Sequence, residues 1–443
     1  MSTRFLTFAV FFAMLTGCTG SAPDYAEMIL HNRLMRQVDS MARKVVATGF
    51  TAGDVYGEVW IRDFNTFIEL SMTVLPDEDV RRNLDLFWAF QAHDGGIVDG
   101  FVHKDGNLYL YDYIRSPQAP DYLAHKNTVE TDQETSLIQA VHKYVTKGGN
   151  RHYLESEVYG KRVIDRMEDA LRFIADVKTD SRYGLVTGAT TIDWGDVQPE
   201  HEWGVVIDEN THHAIDIYDN AMYVIALDNF IELCDDQQKR AYWSNIRDGI
   251  KSNVRKYLWD ADNRKFIPHI YLDGSPFPDD FDENKIYYHG GTGVAVMAGI
   301  LEKEEILHAY DRMKENVGKA HAQTIGLAVY PTYPNGYFKN TMLYPYGYQN
   351  GGDWTWFGAR MVMGLIENGF IAEAYEALQP MLLRAVENKG FYEWYTPAGE
   401  PMGSGTYRGE AGVLYKCNEM LRNWAAGSTD ARTDRKEVRE GMR

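Results

Sequence analysis

Amphipathic segments with a helical repeat occur along almost the whole chain and restrict its fold more than any other feature. Apolar residues follow one another at steps of three and four, as on the buried face of an α-helix. Leu137, Val141 and Tyr144, for example, fall on one face of such a segment. Eleven segments show the pattern: 28–46, 59–72, 78–92, 134–145, 162–177, 220–233, 240–258, 302–312, 356–367, 371–387 and 409–425.

Long connections rich in glycine, tyrosine and aspartate separate these helices. Structureless loops of such length are usually functional. Paired helices with long loops on one side favour a mostly α fold, namely an (α/α)6 toroid of helical hairpins with a few short β-hairpins, placed at 108–114 and 266–272. Periodicity alone supports only a mostly α protein. A helical repeat array would look similar, although no repeat of fixed period is present. The long loops are 93–130, 180–218, 260–292, 325–353 and 389–408.

The N-terminus has the features of a secretory signal. Arg4 precedes an apolar run from Phe5 to Leu15, shorter than the roughly 20 residues that span a bilayer. The run ends in Leu-Thr-Gly-Cys, which resembles the lipobox of bacterial lipoproteins and implies that Cys18 is lipidated. An ordinary cleaved signal with an incidental cysteine is the alternative. The lipobox implies a lipid-anchored protein of the bacterial cell envelope, at the periplasmic or the outer-membrane face.

The chain is therefore divided into four parts. We predict a signal peptide at 1–17, a tether at 18–26, one helical domain at 27–426 and a charged, flexible tail at 427–443. Cys234 and Cys417, the two cysteines that remain in the mature chain, are expected to be buried free thiols rather than a disulfide.

Composition narrows the class of partner. The formal net charge is -19, from 45 Lys+Arg and 64 Asp+Glu, and this argues against nucleic acid, whose phosphates need a basic surface. The 10 Trp, 29 Tyr and 19 Phe argue against disorder and fit neutral polar substrates that stack on rings, sugars first. No CxxC or HExxH motif occurs, so no metal site and no cofactor is expected. Structural or sugar-binding roles are favoured for His212, His213 and His289.

Two helix starts carry candidate sugar-binding residues. Trp60, Arg62 and Asp63 precede an apolar helix; the carboxylate and guanidinium can hold hydroxyl pairs while the indole covers an apolar sugar face. An aspartate cap with a structural salt bridge is the alternative. Asp132 and Gln133 begin another helix, where acids favour the positive end of the helix dipole. A side chain that also faces the cavity is the second interpretation there.

Candidate catalytic carboxylates lie in the long loops. Asp193 and Asp196 flank Trp194 at a spacing of three residues. A neighbouring like charge and an apolar ring raise the pKa of one such carboxyl, as the general acid of a glycosidase requires. A plain turn shows the same spacing. Glu393 lies beside Trp394 among aromatic residues, where an exposed glutamate is the alternative. A further aromatic loop contains Asn350, Asp353, Trp354 and Trp356.

The order of these motifs resembles the six-hairpin (α/α)6 glycosidases. The likeness is to the group with family 63 glycoside hydrolases, trehalases and the amylo-α-1,6-glucosidase part of glycogen debranching enzymes. It spans Gly57 to Leu421. Its motifs are Trp-x-Arg-Asp at 60–63, Trp-x-Asp at 194–196, Gln-Asn-Gly-Gly-x-Trp-x-Trp at 349–356 and Glu-x-Tyr-x-Pro-x-Gly at 393–399.

The resemblance implies an inverting, exo-acting glycoside hydrolase that releases a terminal, α-linked sugar. Asp196 matches the general acid and Glu393 the general base. The chain has Asp-Trp-Gly-Asp where debranching-type enzymes have Thr-Trp-Met-Asp, so Asp193 is a rival acid, and Glu410 is a rival base. The acid is expected to have the raised pKa, and the base to be ionised. Implied sugar-site residues are Trp60, Arg62, Asp63, Asp132, Gln133, Trp194, Asn350, Asp353, Trp354, Trp356 and Trp394.

Three alternatives share parts of this pattern. A glycoside phosphorylase has the same fold but needs a basic phosphate site and no general base. An unsaturated uronide hydrolase needs a cationic pocket for its carboxylate substrate. A glycan-binding lipoprotein without catalysis needs no facing carboxylates.

Overall fold

The computed structural model describes residues 23–106, 108, 112–203 and 205–440, with side chains up to residue 428. In this part of the chain, α-helix is the main secondary structure. The helices are α1 (Tyr25–His31), α2 (Arg33–Val46), α3 (Ile61–Val74), α4 (Asp77–Ala89), α5 (Gln133–Gly148), α6 (Val163–Val177), α7 (Ile217–Leu233), α8 (Gln237–Tyr257), α9 (His289–Met297), α10 (Lys303–Ala320), α11 (Thr355–Glu367), α12 (Ile371–Glu387) and α13 (Arg408–Glu440).

Alternate helices form two concentric rings. In the inner ring α3 packs on α5, α5 on α7, α7 on α9, α9 on α11, α11 on α13, and α13 returns to α3. The outer ring consists of α2, α4, α6, α8, α10 and α12, each packed on one or two inner helices. This closed arrangement is the predicted (α/α)6 toroid. Because an outer helix returns the chain each time, all six inner helices begin at the same face.

Burial explains why the two rings differ in sequence. Inner helices have neighbours on nearly every side and are apolar around most of their circumference. In α11, every residue from Thr355 to Leu365 is buried. The outer helix α8 buries Trp243, Ile250 and Val254 and is polar elsewhere.

The strands are short and all lie in the connections between helices. They pair antiparallel in small two- and three-stranded sheets. The strands are β1 (Val59–Trp60), β2 (Gly100–His103), β3 (Tyr122–His125), β4 (Glu157–Val158), β5 (Lys161–Arg162), β6 (Thr179–Asp180), β7 (Leu185–Val186), β8 (Gly188–Ala189), β9 (His213–Ile215), β10 (Trp259–Asp260), β11 (Lys265–Phe266), β12 (Ile270–Tyr271), β13 (Tyr287–Tyr288), β14 (Val329–Tyr330), β15 (Trp394–Tyr395) and β16 (Pro401–Met402).

Some element boundaries differ from the predictions. The segment 28–46 is two helices, because the Asn32 side chain accepts a hydrogen bond from the Met35 backbone N–H and caps α2. Residues 266–272 are divided between β11, which pairs with β10, and β12, which pairs with β9. Helix α9 lies where a long loop was predicted to end. Of the strand predicted at 108–114, residues 109–111 lie outside the described residues, and Ile114 forms an isolated antiparallel bridge with Ala124.

The chain ends and the cysteines complete the comparison. Cys234 and Cys417 are buried free thiols, as predicted. The predicted signal peptide and Cys18 lie outside the described residues. Helix α13 continues to Glu440, and the domain boundaries and the flexibility of the tail stay predictions. Among the described residues, no helix has both the length and the apolar character needed to cross a membrane.

Candidate active site

Candidate residues from distant parts of the sequence meet at the face where the inner helices begin. Asp63 lies in the first turn of α3, Gln133 opens α5, and Glu410 lies in the first turn of α13. The N-terminus of a helix carries the positive end of its dipole and favours nearby negative charge. Six such ends point toward this face, which is therefore suited to a cluster of carboxylates.

Glu393 is buried and held in one orientation. Tyr56 donates its hydroxyl proton to Oε1 of Glu393 at 2.5 Å, and the Ser404 backbone N–H donates to the same oxygen at 3.0 Å. The β15–β16 hairpin brings Gly403 against this side chain; its φ is +73°, and a Cβ there would lie 2.6 Å from Cδ of Glu393. Burial raises the pKa of Glu393, the two hydrogen bonds oppose this rise, and the charge of Asp196 adds to it.

Asp196 and Asp63 share this pocket with Glu393. Asp196 is half-buried, and its Oδ1 accepts a hydrogen bond from Nε2 of Gln349 at 2.8 Å. The pKa of Asp63 is raised to about 7, mainly by burial and also by the charges of Glu393 and Asp196, whereas a hydrogen bond with Tyr407 opposes the rise. The three carboxylates are therefore close enough for their charges to act on one another, and the region around them is called the pocket below.

The rival acid and the rival base are held by the backbone of neighbouring elements. Asp193 is 1% exposed, and its Oδ1 accepts from the Gly291 N–H in the first turn of α9 at 2.8 Å. Burial raises its pKa to about 8. Glu410 is fully buried, its Oε2 accepts from the Tyr392 N–H at 2.5 Å, and burial raises its pKa to about 7. Both carboxyl groups thus fix the position of chain segments around the pocket.

Arg62 and Asp132 form a buried network behind the pocket. Nε of Arg62 donates to Oδ2 of Asp132 at 2.5 Å, Nη1 donates to the Trp194 carbonyl at 3.2 Å, and Nη2 pairs with Glu130. The Gln133 amide donates to Oδ1 of Asp132 at 3.1 Å. The network therefore joins α3 and α5 to the loop that carries Asp196.

The predicted tryptophans pack as a buried support. Trp194 stacks on Phe357 at 4.1 Å between ring centroids and meets Trp354 edge-on at 4.9 Å. Trp194, Trp354, Trp356 and Trp394 are each 3% exposed or less. The partly exposed rings in this region are Tyr56, Trp60 and Tyr348.

Two further predicted residues stabilise the aromatic loop. Oδ1 of Asn350 accepts from the Tyr333 backbone N–H at 2.8 Å. Asp353 is fully buried and pairs with Arg384 at 2.8 Å between Nη1 and Oδ2. Neither side chain is exposed to solvent, so both hold the loop that presents Tyr348 and Gln349.

A family model described as "Glycosyl hydrolase 94 superfamily, catalytic domain" matches residues 44–413. The chain belongs to the glycosyl hydrolase 94 superfamily. This membership and the toroid confirm the resemblance to six-hairpin glycosidases and support a glycosidase-type activity. No curated protein matches the chain significantly in sequence.

Solved structures of other glycosidases have the same fold. The GH63 mannosylglycerate hydrolase from Thermus thermophilus, in complex with Tris and D-glycerate, is 17% identical with a TM-score of 0.61, over 86% of this chain and 99% of that one. The complex of the same hydrolase with glucose is 16% identical to this chain with a TM-score of 0.62, and the coverage of both chains is the same. A rhamnosidase from Klebsiella oxytoca with rhamnose bound is 12% identical, with a TM-score of 0.58, over 88% of this chain and 64% of that one.

The structure of this glycosyl hydrolase 94 superfamily member adds site residues that sequence reasoning missed. Asp99 precedes β2, and burial raises its pKa to about 7, with Asp196 among the charges that act on it. Glu58 is fully buried, burial raises its pKa to about 7, and Tyr113 donates to its Oε1 at 3.3 Å. Pairing of β1 with β2 places Asp99 opposite Ile61 at the start of α3, whereas Glu58 lies at the other end of the same ladder. No local sequence pattern marks so short a sheet.

The histidines considered as metal ligands bind other groups in this glycosyl hydrolase. His212 contacts Glu200 at 2.6 Å and His213 contacts Asp273 at 2.8 Å, in both cases through Nδ1. His289 is buried, and burial lowers its pKa to about 4. Within the described ranges, no three or more His, Cys, Asp or Glu side chains are grouped as metal ligands.

Proposed function

We propose that this protein is an inverting, exo-acting glycoside hydrolase that releases a terminal, α-linked sugar. One observation carries the proposal: Asp196 and Glu393, from connections far apart in the chain, act on each other in one pocket at the N-terminal face of the toroid. Asp196 is the general acid and Glu393 the general base. Asp193 and Glu410 are positioning residues, because their carboxyl groups bind backbone of neighbouring elements.

The contacts of Glu393 suit a general base. Tyr56 and the Ser404 N–H both donate to Oε1, which leaves Oε2 to accept a hydrogen bond from water. Bonds to the ionised form favour that form and oppose the effect of burial. Oε2 takes one proton from this water while the water oxygen attacks the anomeric carbon, and the configuration at that carbon inverts.

The contacts of Asp196 suit a general acid. Gln349 donates to Oδ1, which leaves Oδ2 to carry the proton. This proton passes to the glycosidic oxygen as the bond from that oxygen to the anomeric carbon breaks. The sugar leaves with the hydroxyl group from water, and the leaving group departs as an alcohol.

Charge at the pocket favours water over phosphate as the nucleophile. A phosphorylase needs cationic side chains free to bind phosphate. Arg62, the guanidinium behind this pocket, is already engaged by Asp132, Glu130 and the Trp194 carbonyl. The surrounding carboxylates would also repel a phosphate dianion.

The test is the release of sugar from a panel of α-linked oligosaccharides, followed by NMR. The panel includes glucosides, mannosides and a mannosylglycerate, since the solved relative from Thermus thermophilus is named for that substrate. Asp196→Asn and Glu393→Gln should each reduce kcat about 10²–10⁴-fold. Asp196→Asn should retain hydrolysis of a glycosyl fluoride, which needs no protonated leaving group, whereas Glu393→Gln should lose both reactions.

Other outcomes would contradict specific parts of the proposal. Release with retained anomeric configuration would exclude inversion. Release that depends on added inorganic phosphate and yields a sugar phosphate would make the protein a phosphorylase. Binding of a glycan without release of sugar would show that the protein binds glycans but does not hydrolyse them. Activity that survives Glu393→Gln but not Glu410→Gln would transfer the base to Glu410.

We also propose that the protein is lipid-anchored in the bacterial cell envelope, at the periplasmic or the outer-membrane face. The support is the lipobox-like Leu-Thr-Gly-Cys sequence that ends at Cys18. Cells fed labelled palmitate should label the wild-type protein but not Cys18→Ser. Equal labelling of both proteins would remove the anchor from the proposal.

A further inference from the structure

One large aromatic side chain at the pocket side of the molecule is exposed. Trp203 is 57% exposed, although most tryptophans of this chain are buried. It lies in the connection between Asp196 and α7, at the face where the inner helices begin. Burial of an indole would stabilise the folded protein, and an exposed indole does not contribute this free energy. An exposed ring at the rim of a pocket is therefore a candidate contact for a ligand.

Two residues near Trp203 are hydrogen-bonded to other connections. The Glu202 carbonyl accepts from the Asn340 side-chain amide at 2.5 Å. The Val205 carbonyl accepts from the Thr128 backbone N–H at 2.9 Å. These bonds restrict the chain on both sides of the indole, and such restriction reduces the entropy that ligand binding costs.

Tyr348 links Trp203 to the carboxylates. The rings of Trp203 and Tyr348 meet edge-on, with centroids 6.3 Å apart and planes at 73°. The charges of both Asp196 and Glu393 act on the Tyr348 hydroxyl. Tyr348 also packs edge-on against Trp354 at 5.3 Å. Trp203 is thus one ring further out from the two carboxylates, toward solvent.

We propose that Trp203 and Tyr348 form a subsite for a sugar ring on the leaving-group side of the cleaved bond. The substrate is then an oligosaccharide with at least a second ring, and the indole covers the apolar face of that ring. This inference rests on the proposed hydrolase function. The leaving-group side is assigned because Trp203 belongs to the same connection as Asp196, which protonates the leaving oxygen, and because the indole faces solvent.

Other exposed apolar side chains at this rim are consistent with a ligand that extends beyond one sugar ring. Val206 is 56% exposed and belongs to the same connection as Trp203. Tyr344 is 44% exposed in the loop that carries Tyr348. Both belong to connections that precede inner helices and therefore lie at the same face as the pocket.

The kinetic test compares two kinds of substrate on Trp203→Ala. For an α-linked disaccharide cleaved by the wild type, kcat/KM should fall about tenfold, the effect of removing one well-placed aromatic contact. For the fluoride of the same terminal sugar, which has no second ring, kcat/KM should fall much less. Trp203→Phe should restore most of the disaccharide activity. Tyr242→Ala, at a 47% exposed aromatic residue of the outer helix α8, is the matched control and should behave as wild type.

A binding measurement separates failure of the subsite from failure of the hydrolase proposal. The same disaccharides are titrated calorimetrically into Glu393→Gln and into Glu393→Gln/Trp203→Ala. Weaker binding in the double variant supports the subsite even if the wild type hydrolyses nothing. The subsite is overturned if kcat/KM falls equally on both substrates, if the two variants bind the disaccharides equally, or if neither variant binds them. Whether the protein is a hydrolase is then decided by the release of sugar alone.

Discussion

At the scale of single residues, the contact between Tyr56 and Glu393 affects the ionisation of the proposed base. Burial favours the neutral form of Glu393, and the hydroxyl of Tyr56 at 2.5 Å favours the charged form. A general base has to be ionised at the working pH. The hydrogen bond therefore compensates for the desolvation that a closed pocket imposes.

Tyr56→Phe should raise the pKa of Glu393, because it removes a bond that stabilises the carboxylate. The acidic limb of the pH profile of kcat/KM should then move upward by about one to two pH units, since a hydrogen bond to a charged group contributes about 1.5–3 kcal/mol. At pH values well above this limb, kcat/KM should change less. The profiles of wild type and variant, measured on one substrate, give the shift directly.

Tyr25→Phe is the matched control for this variant. The Tyr25 hydroxyl donates to Oε1 of Glu376 at 3.0 Å, so it is a second tyrosine–carboxylate pair, but one located away from the pocket. Its pH profile should coincide with that of the wild type. An unchanged limb in Tyr56→Phe, or an equal shift in Tyr25→Phe, would contradict the role given to Tyr56.

Sequence reasoning reaches the proposed acid and base but not their hydrogen-bond partners. Asp196 and Glu393 were predicted because each stands in a recognisable local motif. Tyr56 bonds to a residue 337 positions away, and Gln349 to one 153 positions away. Such contacts follow from closure of the toroid, and no spacing in the sequence expresses them.

At the scale of elements, periodicity predicted most helices, including the buried α11, but it did not predict α9. The outer helices have one apolar face, and that face produces the periodic signal. Helix α9 is buried along nearly its whole length and contains three glycines, Gly290, Gly291 and Gly293. It has no polar face to mark a period, and glycine ordinarily weakens a helix.

Packing explains the glycines of α9. A Cβ on Gly291 would lie 2.6 Å from Oδ1 of Asp193 and 2.7 Å from Cγ2 of Ile217, and one on Gly290 would collide with Trp194. The helix thus approaches the Asp193–Asp196 loop closely enough for its backbone N–H to bind Asp193. The glycines therefore allow α9 to pack closely against residues that are distant in the sequence. The sequence of this segment alone does not reveal such contacts.

At the scale of the whole molecule, buried carboxyl groups gather at the face where the inner helices begin. The carboxyl groups whose pKa burial raises to about 7 or 8 are Glu58, Asp63, Asp99, Asp193, Asp216 and Glu410. The positive ends of the helix dipoles favour negative charge at this face. A cavity of about 300 Å³ further along the same helices is lined by charges of both signs, with Lys143, Arg360 and Lys416 beside Glu69 and Glu367.

This cluster makes the free energy of unfolding depend on pH. A carboxyl with a raised pKa holds its proton in the folded state at pH values where the unfolded chain has released it, so stability falls as pH rises through the folded pKa. His125 and His289, whose pKa values burial lowers to about 4, act in the opposite direction, but only below their ordinary value of 6.5. Above pH 6.5 the carboxyl groups act alone until the buried Lys143 and Lys265, each with a pKa of about 8, begin to contribute.

The protein should therefore lose stability between pH 6.5 and 8, and Asp193 should account for about 1–2 kcal/mol of the loss, because its pKa of about 8 lies at the end of that interval. Asp193→Asn keeps an oxygen to accept from Gly291 but carries no titrating proton, so its free energy of unfolding should vary less with pH. Urea denaturation at several pH values between these limits measures both slopes. Asp262→Asn, at an exposed carboxylate, should keep the wild-type slope. A wild-type stability that rises with pH, or an Asp193→Asn slope equal to the wild type, would show that these carboxyl groups are ionised in the folded protein and would contradict the raised pKa values given above.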